Sequence, residues 1–212
     1  MGTLTDQQPP DGPVTPGSVP RGSFDALYDG TPPWEIGRPQ PAFQALADAG
    51  AIAGRVLDVG CGTGEHALMA AGMGLDAVGV DSAPTAIAIA ERKARERGLP
   101  VRFLVWNALD LGSLAERFDT VVDSGLFHVF DDDDRAAFVA SLGATVEPGG
   151  RYHMLCFSDR QPGSVGPRRV SQDEIQEAFA EGWGIEAIDP VTMDVTFAPQ
   201  GVQAWRATIA RR

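Results

Sequence analysis

Residues 56–65 read Val-Leu-Asp-Val-Gly-Cys-Gly-Thr-Gly-Glu, a short apolar run that leads into three closely spaced glycines. The run Val56–Val59 predicts a buried β-strand, and the Ala/Leu/Met-rich stretch from Glu65 to Met73 predicts a helix directly after it. Glycines let the backbone of the intervening turn approach a ligand closely, at the N-terminus of that helix. The segment therefore predicts a strand–turn–helix unit with a ligand site at its turn.

The same alternation continues along the chain. Further strands are predicted at Leu75–Val80, Val101–Val105, Phe118–Val122 and Tyr152–Phe157. Helices are predicted between them, one with Ser82 as its N-cap and Pro84 in its first turn, another opened by Asp131–Asp134. Strands that alternate with helices form a parallel sheet with helices on both faces. The fold class predicted is therefore α/β.

The last part of the chain has a different pattern. Ser171-Gln172-Asp173-Glu174 is a capping box that predicts a helix to about Glu181. Two strand-like runs follow, Ile185–Thr196 and Val202–Ile209, and the link Phe197–Gly201 between them is short. Strands joined by so short a link pair antiparallel, so a C-terminal hairpin is predicted.

The N-terminal segment divides into two parts. Residues 1–22 hold five prolines and four glycines with almost no apolar residues, which predicts a disordered tail. The following arm, residues 23–50, is rich in aromatic residues and prolines and needs a surface to pack on. A cap over the core and a cover for a ligand are both compatible with it. One domain, residues 23–212, is expected.

Composition narrows the possible partners. The chain has 212 residues and a net charge of −12, which argues against nucleic acids and anionic membrane surfaces as partners. Cys61 and Cys156 are too few to staple a chain of this size, and free thiols in a reducing compartment are expected. The sequence shows no secretory signal or membrane-spanning run, and its three histidines are too scattered for a metal site. A cytoplasmic protein, monomeric or homodimeric, is predicted, with no bound metal.

The charges around the glycine turn distinguish between cofactors. A dinucleotide fingerprint needs a sixth-position glycine where this chain has Glu65, and no lysine follows the glycines as in a P-loop. No Lys or Arg lies between Asp58 and Met69, so a diphosphate would meet carboxylates without a cation. S-adenosylmethionine carries a sulfonium and an ammonium, and a unit charge pair about 4 Å apart is worth about 4 kcal/mol at an effective dielectric near 20. The turn therefore favours S-adenosylmethionine over NAD.

Two further strand ends carry polar residues. Asp81 ends the second strand, where a carboxylate holds the ribose hydroxyls of a bound nucleoside. By itself Asp81 would fit NAD equally well. Asn107 and Ala108 follow the third strand, where an amide and backbone groups could bind the adenine edge. A loop cap is the alternative role for Asn107.

The residues from Asp58 to Gly64, with Asp81 and the order of elements, resemble the class I S-adenosylmethionine-dependent methyltransferases. Two other stretches, 34–41 (WEIGRPQP) and 123–128 (DSGLFH), resemble the thiopurine and tellurite-resistance branch, whose bacterial members methylate small heterocyclic toxins, hydroxyquinolones or quinones. The resemblance implies a Rossmann-like, seven-stranded sheet with one antiparallel strand. It also implies that Trp34 closes over the cofactor and that the loop after the fourth strand contacts the methionine end. The thiopurine enzymes tend to have Arg where this chain has Ser124.

The acceptor side is predicted from the same elements. Methyl transfer depends mainly on positioning, and a base is needed only where the acceptor must lose a proton. His128 follows the fourth strand and is the candidate general base, unless its ring is bonded to the backbone or packed by Phe127 and Phe130. The acceptor contacts predicted are Tyr28, Phe127 and His128. Residues 158–169 form either a lid or a plain surface loop.

The sequence thus predicts an S-adenosylmethionine-dependent methyltransferase that acts on O, N or S of a small aromatic or heterocyclic molecule. An NAD-dependent oxidoreductase and a non-catalytic cofactor-binding regulatory module are the alternatives. The predicted cofactor contacts are Trp34, Asp58, Gly60, Cys61, Gly62, Gly64, Asp81, Ser82, Asn107, Ala108, Asp123 and Ser124.

Overall fold

The computed structural model describes residues 24–164 and 166–212, and the predicted tail, residues 1–22, lies outside them. The helices are α1 Phe24–Leu27, α2 Pro41–Asp48, α3 Glu65–Gly72, α4 Pro84–Arg97, α5 Asp132–Thr145 and α6 Gln172–Ala178. The strands are β1 Val56–Val59, β2 Ala77–Asp81, β3 Val101–Val105, β4 Phe118–Ser124, β5 Val146–Phe157, β6 Trp183–Val195 and β7 Ala198–Arg211. Within the described residues, none of these helices is long and apolar enough to cross a membrane.

The seven strands form one sheet in the order β3-β2-β1-β4-β5-β7-β6. Neighbours from β3 to β5 pair parallel, while β7 pairs antiparallel with both β5 and β6. The predicted α/β fold with one antiparallel strand is therefore confirmed. Strand order reverses between β1 and β4, and ligands of open α/β sheets bind beyond the carboxyl ends of the strands at such a point.

Adjacent residues of one strand pack into opposite layers. Leu57 and Val121 belong to the apolar cluster beneath α5 and α6, which includes Phe138. Val56 and Val122 belong to the cluster on the other face, against α2 and α3. Because side chains alternate across a strand, a sheet covered on both faces needs such continuous apolar runs. This double cover fixes the strand ends that carry the polar residues.

Several predicted helix ends are confirmed by the caps observed. Asp131 caps α5 by accepting from the backbone N–H of Asp134 at 2.9 Å, and Ser171 and Glu174 form the complete capping box of α6. The predicted cap at Ser82 is wrong, because Ala83 is the N-cap of α4 and Pro84 begins the helix. Helix α6 also ends earlier than predicted, at Ala178.

The fifth strand starts earlier than the sequence predicts. The strand is predicted from Tyr152, but β5 begins at Val146 and runs through Pro148-Gly149-Gly150 with a register irregularity opposite β4. A Cβ at Gly150 would lie 2.9 Å from the carbonyl oxygen of Asp119, so the glycine permits the two backbones to approach. Glycine here marks a strand irregularity rather than a chain reversal.

Candidate functional site

The three glycines of the turn after β1 all adopt left-handed backbone angles. Their φ values are 66° at Gly60, 52° at Gly62 and 87° at Gly64. A Cβ at Gly62 would lie 2.9 Å from the hydroxyl oxygen of Tyr28, and one at Gly60 would lie 3.1 Å from the side chain of Leu126. The turn is thus enclosed between the N-terminal arm and the loop after β4, which leaves no room for larger residues.

Asp81 at the end of β2 is bonded to this turn. One carboxylate oxygen accepts from the backbone N–H of Gly62 at 2.8 Å, and the other accepts from Ala83 N–H at 2.9 Å. Burial raises the pKa of Asp81 despite these bonds. Ser82, the neighbouring predicted contact, is exposed. The structure therefore brings Asp81 and the glycine turn together at the switch point of the sheet.

Asp58 lies in the interior, below the turn. Its side chain is 1% exposed and accepts from the backbone N–H of Ala67 in α3 at 3.0 Å. Burial, together with the charges of Asp81 and Asp123, raises its pKa to about 8. The neighbouring Cys61 thiol is also buried, and burial raises its pKa well above the usual range, which leaves it unreactive. Both side chains support the turn from beneath.

The prediction that the turn lacks cations is wrong, because residues distant in sequence bring positive charge close to it. Helix α4 places Lys93 Nζ 2.8 Å from Glu65 Oε1 and Arg97 Nη1 2.8 Å from Glu65 Oε2. Burial would raise the pKa of Glu65, but the hydrogen bonds from Arg97 and Lys93 outweigh it and lower the pKa. Glu65 is therefore neutralised within the protein, and the charge available to a ligand comes from the other carboxylates.

The carboxyl groups at the neighbouring strand ends are Asp58, Asp81 and Asp123, on β1, β2 and β4. With its pKa raised to about 8, Asp58 is protonated near pH 7, so the negative charge comes from Asp81 and Asp123. Repulsion among them raises the pKa of Asp58, since both Asp81 and Asp123 contribute to it. A cation bound in the crevice would relieve this repulsion, whereas a diphosphate would add to it. The donor set thus fits a positively charged nucleoside ligand such as S-adenosylmethionine, and its glycine cradle has the space for close backbone contact.

The arm packs its aromatic side chains beside the turn. Trp34 Nε1 donates to the Tyr28 hydroxyl at 3.1 Å, and the Trp34 ring centroid lies 6.3 Å from those of Phe24 and Tyr28. A cavity of about 410 Å³ opens between this arm, the turn and α4. Of the predicted site residues, Tyr28 lines it. Trp34 is not among the lining residues and packs against Tyr28, Ala83 and Ala86.

Sequence reasoning missed the residues that anchor the arm. Glu35 accepts a hydrogen bond from the Thr63 hydroxyl of the turn and lies 3.7 Å from Lys93 Nζ. Arg38 forms an ion pair with Asp194 of β6 at 2.6 Å. The polar residues of the motif at 34–41 are the signal that could have identified these contacts, because a surface loop has no need of so specific a set.

Gln40 and His66 complete the anchor. The Gln40 side chain forms two hydrogen bonds of 2.9 Å with the backbone of Asp194. Its amide nitrogen donates to the Asp194 carbonyl, and its amide oxygen accepts from the Asp194 N–H. His66 Nε2 accepts from the backbone N–H of Gln40 at 3.1 Å. The His66 ring is buried against Phe43, and burial lowers its pKa to about 4.

Asn107 caps a loop, which is the alternative role predicted for it. Its Oδ1 accepts from the backbone N–H of Leu109 at 3.0 Å and caps the 3₁₀ segment Ala108–Leu114. The amide nitrogen is the remaining polar group for a ligand. The backbone N–H of Trp106 donates to the Asp81 carbonyl at 2.8 Å, so this loop stays close to the end of β2.

The loop after β4 folds around Asp123. Its carboxylate accepts from the backbone N–H groups of Leu126 and Phe127 and from the Tyr152 hydroxyl, at 2.7, 3.1 and 2.6 Å. Burial raises the pKa of Asp123 to about 6 although these bonds oppose it. The side chain therefore shapes the loop from inside, while the half-buried Ser124 ends the strand beside it. Tyr152 is a further residue that sequence reasoning missed.

Phe127 does not reach the acceptor side as predicted. The ring is fully buried, lies 5.9 Å from that of Phe179, and has the Arg135 guanidinium 4.4 Å from its centroid. It packs into the core instead. His153 is buried within β5, with Nδ1 3.1 Å from the Thr208 hydroxyl.

His128 lies at the carboxyl end of β4 against Phe157 of β5. Its ring is 6% exposed, and Nδ1 accepts from the backbone N–H of Phe157 at 3.0 Å. Burial and the positive charges of Arg169 and Arg135 lower its pKa to about 3. The ring is therefore neutral near pH 7, and with Nδ1 occupied its proton resides on Nε2. The general-base role stays a prediction that this geometry disfavours, because Nε2 offers an N–H rather than a lone pair.

Comparison with known proteins places these features in context. A family described as a methyltransferase domain matches residues 56–150. The 2-heptyl-1-hydroxyquinolin-4(1H)-one methyltransferase of Mycobacteroides abscessus is 38% identical over 82% of this chain and 78% of its own. A solved structure described as "Conversion of a Disulfide Bond into a Thioacetal Group during Echinomycin Biosynthesis" is 42% identical over 90% of this chain and 92% of its own, with a TM-score of 0.82.

A more distant structure has the same fold with a ligand bound. Magnesium protoporphyrin IX methyltransferase from Synechocystis, solved with bound SAH, is 18% identical, covers 81% of this chain and 80% of its own, and has a TM-score of 0.64. At that identity the likeness is one of fold.

Proposed function

The chain belongs to the S-adenosylmethionine-dependent methyltransferases, and on that premise we propose that it methylates O, N or S of a small aromatic or heterocyclic molecule. The observation that carries the cofactor side is the bond between Asp81, at the end of β2, and the glycine turn after β1, at the switch point of the sheet. The acceptor class is supported by the 38% identical relative, which is named for a hydroxyquinolone. Family membership leaves no observation in favour of the oxidoreductase or the non-catalytic module.

We propose a division of roles around the cofactor. The backbone of Gly60, Gly62 and Gly64 cradles it, and Asp81, whose two oxygens accept from the N–H groups of Gly62 and Ala83, accepts from the ribose hydroxyls with its remaining lone pairs. Trp34 covers the crevice, while Ser124 and the loop shaped by Asp123 meet the methionine end. The bound cofactor supplies an electrophilic methyl group on a sulfonium. The chain supplies position, since in-line displacement depends on holding two reactants at near-attack geometry.

The buried side chains of the cradle act through the backbone. Asp58 and Cys61 hold the turn from beneath, and Asn107 holds the loop at Ala108. These residues would bring backbone groups to the cofactor and need not touch it with their own side chains. Tyr28 of the arm and His128 of the loop after β4 are the remaining contacts proposed for the acceptor.

We propose that the partner is a small molecule and no nucleic acid, because the net charge of −12 repels a phosphate backbone. The two buried free thiols, Cys61 and Cys156, are consistent with a cytoplasmic protein. A monomer or homodimer is proposed for its assembly. The arm, residues 23–50, is proposed as the cap of a single domain that extends to residue 212.

A labelled-methyl assay tests the reaction itself. The protein is incubated with methyl-labelled S-adenosylmethionine and a panel of 2-heptyl-1-hydroxyquinolin-4(1H)-one, thiophenols and phenols, and label is measured in the extracted product. Transfer to at least one heteroatom acceptor is expected. Binding of S-adenosylhomocysteine without transfer to any member would contradict the acceptor class and leave the family assignment standing.

A further inference from the structure

Helix α4 is capped by a residue of the arm rather than by one of its own. Its N-cap is Ala83, whose methyl group cannot accept a hydrogen bond, and Pro84 follows as the first helical residue. The first N–H groups of a helix have no partner within the helix and are stabilised by an acceptor from elsewhere. Here Asp25 of α1 supplies the acceptor, because its Oδ1 accepts from the backbone N–H of Thr85, 60 positions later, at 2.7 Å.

The segment that Asp25 caps also holds Asp81. One Asp81 oxygen accepts from the Ala83 N–H at 2.9 Å, and the backbone of Ser82 adds a further hydrogen bond. Asp81 ends β2 and the helix begins at Pro84, so the chain between them is too short to move independently of either. A shift of the first turn of α4 would therefore displace the donors that orient the Asp81 carboxylate.

A second side chain from the same turn of the arm contacts the other partner of Asp81. The backbone N–H of Tyr28 donates to the Asp25 carbonyl at 3.0 Å, so the two residues share one turn. The Tyr28 hydroxyl lies 2.9 Å from the position of a Cβ at Gly62, whose N–H donates to Asp81 at 2.8 Å. The Tyr28 ring also packs with Ala83. This turn of the arm thus lies against both backbone segments that hold Asp81.

Electrostatic repulsion alone would keep Asp25 away from this position. Burial raises the pKa of Asp81, and the negative charge of Asp25 raises it further, so the two carboxylates repel each other. The positive end of the α4 dipole and the N–H of Thr85 offset this repulsion. The geometry at Asp25 is accordingly that of a helix cap whose acceptor comes from a distant segment.

We infer that Asp25 is a positioning residue of the cofactor site, which caps α4 from the arm and so fixes the backbone that orients Asp81. This inference rests on the proposed contact of Asp81 with the cofactor ribose and deepens it. Arm docking and cofactor binding become one linked equilibrium, in which the docked arm favours the cofactor and the bound cofactor favours the docked arm by the same factor. An arm that merely covered the crevice would not depend on the hydrogen-bonding group at position 25.

Hydrogen exchange of the Thr85 amide tests the cap directly and without ligand. The wild type, Asp25→Ala and Asp25→Asn are labelled with ¹⁵N and compared by NMR. Protection of the Thr85 amide should fall by about fivefold or more in the Ala variant and stay near the wild-type value in the Asn variant, because asparagine caps helices as well as aspartate does. Asp29→Ala is the control, since Asp29 is exposed on the same arm. Equal protection of Thr85 in all four proteins would overturn the inference.

A double-mutant cycle on the affinity for S-adenosylhomocysteine tests the route from Asp25 to Asp81. Asp25→Ala alone should weaken binding by about fivefold, the equivalent of one lost cap. In a protein that already carries Asp81→Ala, the same change should have almost no further effect, because the carboxylate that it positions is gone. Asp29→Ala should leave the affinity unchanged in both backgrounds. Additive losses from Asp25→Ala and Asp81→Ala would overturn the inference.

Two conservative variants separate the hydrogen bond from the charge. Asp25→Asn keeps an acceptor oxygen and loses the charge, whereas Asp25→Glu keeps the charge and places it one methylene farther along the side chain. Because position 25 is only half-buried, both variants are expected to fold, and they decide the question even if the Ala variant does not. Thr85 protection and cofactor affinity should be retained in the Asn variant and reduced in the Glu variant. The reverse order would assign the effect to charge and overturn the inference.

These measurements distinguish failure of the inference from failure of the proposed function. A protein that binds S-adenosylhomocysteine but shows additive losses would keep the proposed function and lose the inference. Failure of the wild-type protein to bind S-adenosylhomocysteine would contradict the proposed cofactor site, while the exchange of the Thr85 amide would still decide whether Asp25 caps α4.

Discussion

Asp81 accepts a hydrogen bond from the backbone N–H of Gly62 at 2.8 Å, which joins the carboxyl end of β2 to the glycine turn after β1. The two residues are 19 positions apart in sequence, and each depends on the other. The turn is held open by the carboxylate, and the carboxylate is held towards the crevice by the turn. This bond joins two features of the proposed cofactor site, the glycine turn and the carboxylate at the end of β2.

Replacing Asp81 with Ala should weaken binding of S-adenosylhomocysteine by about 1–3 kcal/mol, because a charge-assisted bond is lost and Gly62 N–H loses its partner. Isothermal titration calorimetry measures the change. Asp81→Asn keeps an acceptor oxygen without the charge, so its affinity should lie between those of the wild type and the Ala variant. Unchanged affinity in the Ala variant would remove Asp81 from the site.

Gly62→Ala should destabilise the fold by about 1–2 kcal/mol and weaken cofactor binding, because Gly62 has a φ of 52° and the new Cβ would lie 2.9 Å from the Tyr28 hydroxyl. Chemical denaturation gives the free energy of unfolding. Gly143→Ala is the control: it lies in α5 with no atom within 4 Å of a new Cβ, and should be neutral or stabilising. Equal losses in both variants would argue against an enclosed turn.

Asp58 makes stability depend on pH in a defined direction. Its pKa is raised in the folded state to about 8, so between about pH 4 and pH 8 the folded state holds a proton that the unfolded state has released. The free energy of unfolding should therefore fall as pH rises through this window, by at most about 1.4 kcal/mol per pH unit from this group. Asp58→Asn should flatten the fall.

The difference between wild type and Asp58→Asn isolates this group from the histidines. The pKa values of His66 and His128 are lowered, which gives the opposite slope below about pH 6.5 in both proteins. Urea denaturation at intervals from pH 4 to pH 9 measures both curves. Parallel curves would contradict the raised pKa of Asp58.

Gln40→Ala should loosen the arm. Two hydrogen bonds to the backbone of Asp194 are lost, so the free energy of unfolding should fall by about 1–3 kcal/mol and cofactor should dissociate faster. Gln44→Ala is the matched control, because the exposed Gln44 side chain donates to Asp48 Oδ1 at 2.8 Å, within its own helix. Stopped-flow dissociation of a fluorescent cofactor analogue reports the second effect, and equal rates in all three proteins would contradict an arm that covers the cofactor.

Much of the fold could be predicted because apolar runs and their punctuation are local. Val56–Val59 and Val101–Val105 match the observed strands residue for residue, and the capping box at Ser171 begins α6 as expected. The hairpin register could not be predicted, because the strand ends differ from the predicted ones. Strand β6 ends at Val195 and β7 begins at Ala198, so two residues separate them. Local patterns predict the elements better than their ends.

The site was harder to predict because it is assembled from distant parts of the chain. The neutralisation of Glu65 depends on how α4 packs against the turn. The residues near Glu65 in sequence do not indicate that Lys93 and Arg97 will pair with it. The donor state of His128 likewise depends on Phe157, 29 residues later. Residue types could be read from the sequence, whereas their partners and protonation states required the fold.

Competitive calorimetry with S-adenosylmethionine and NAD tests the central claim most directly, that the glycine turn and the acidic strand ends beside it, Asp81 above all, select a cationic nucleoside. The account predicts binding of S-adenosylmethionine at millimolar concentration or below, and no heat of binding from NAD at ten times that concentration. Binding of NAD that S-adenosylmethionine cannot displace would contradict it.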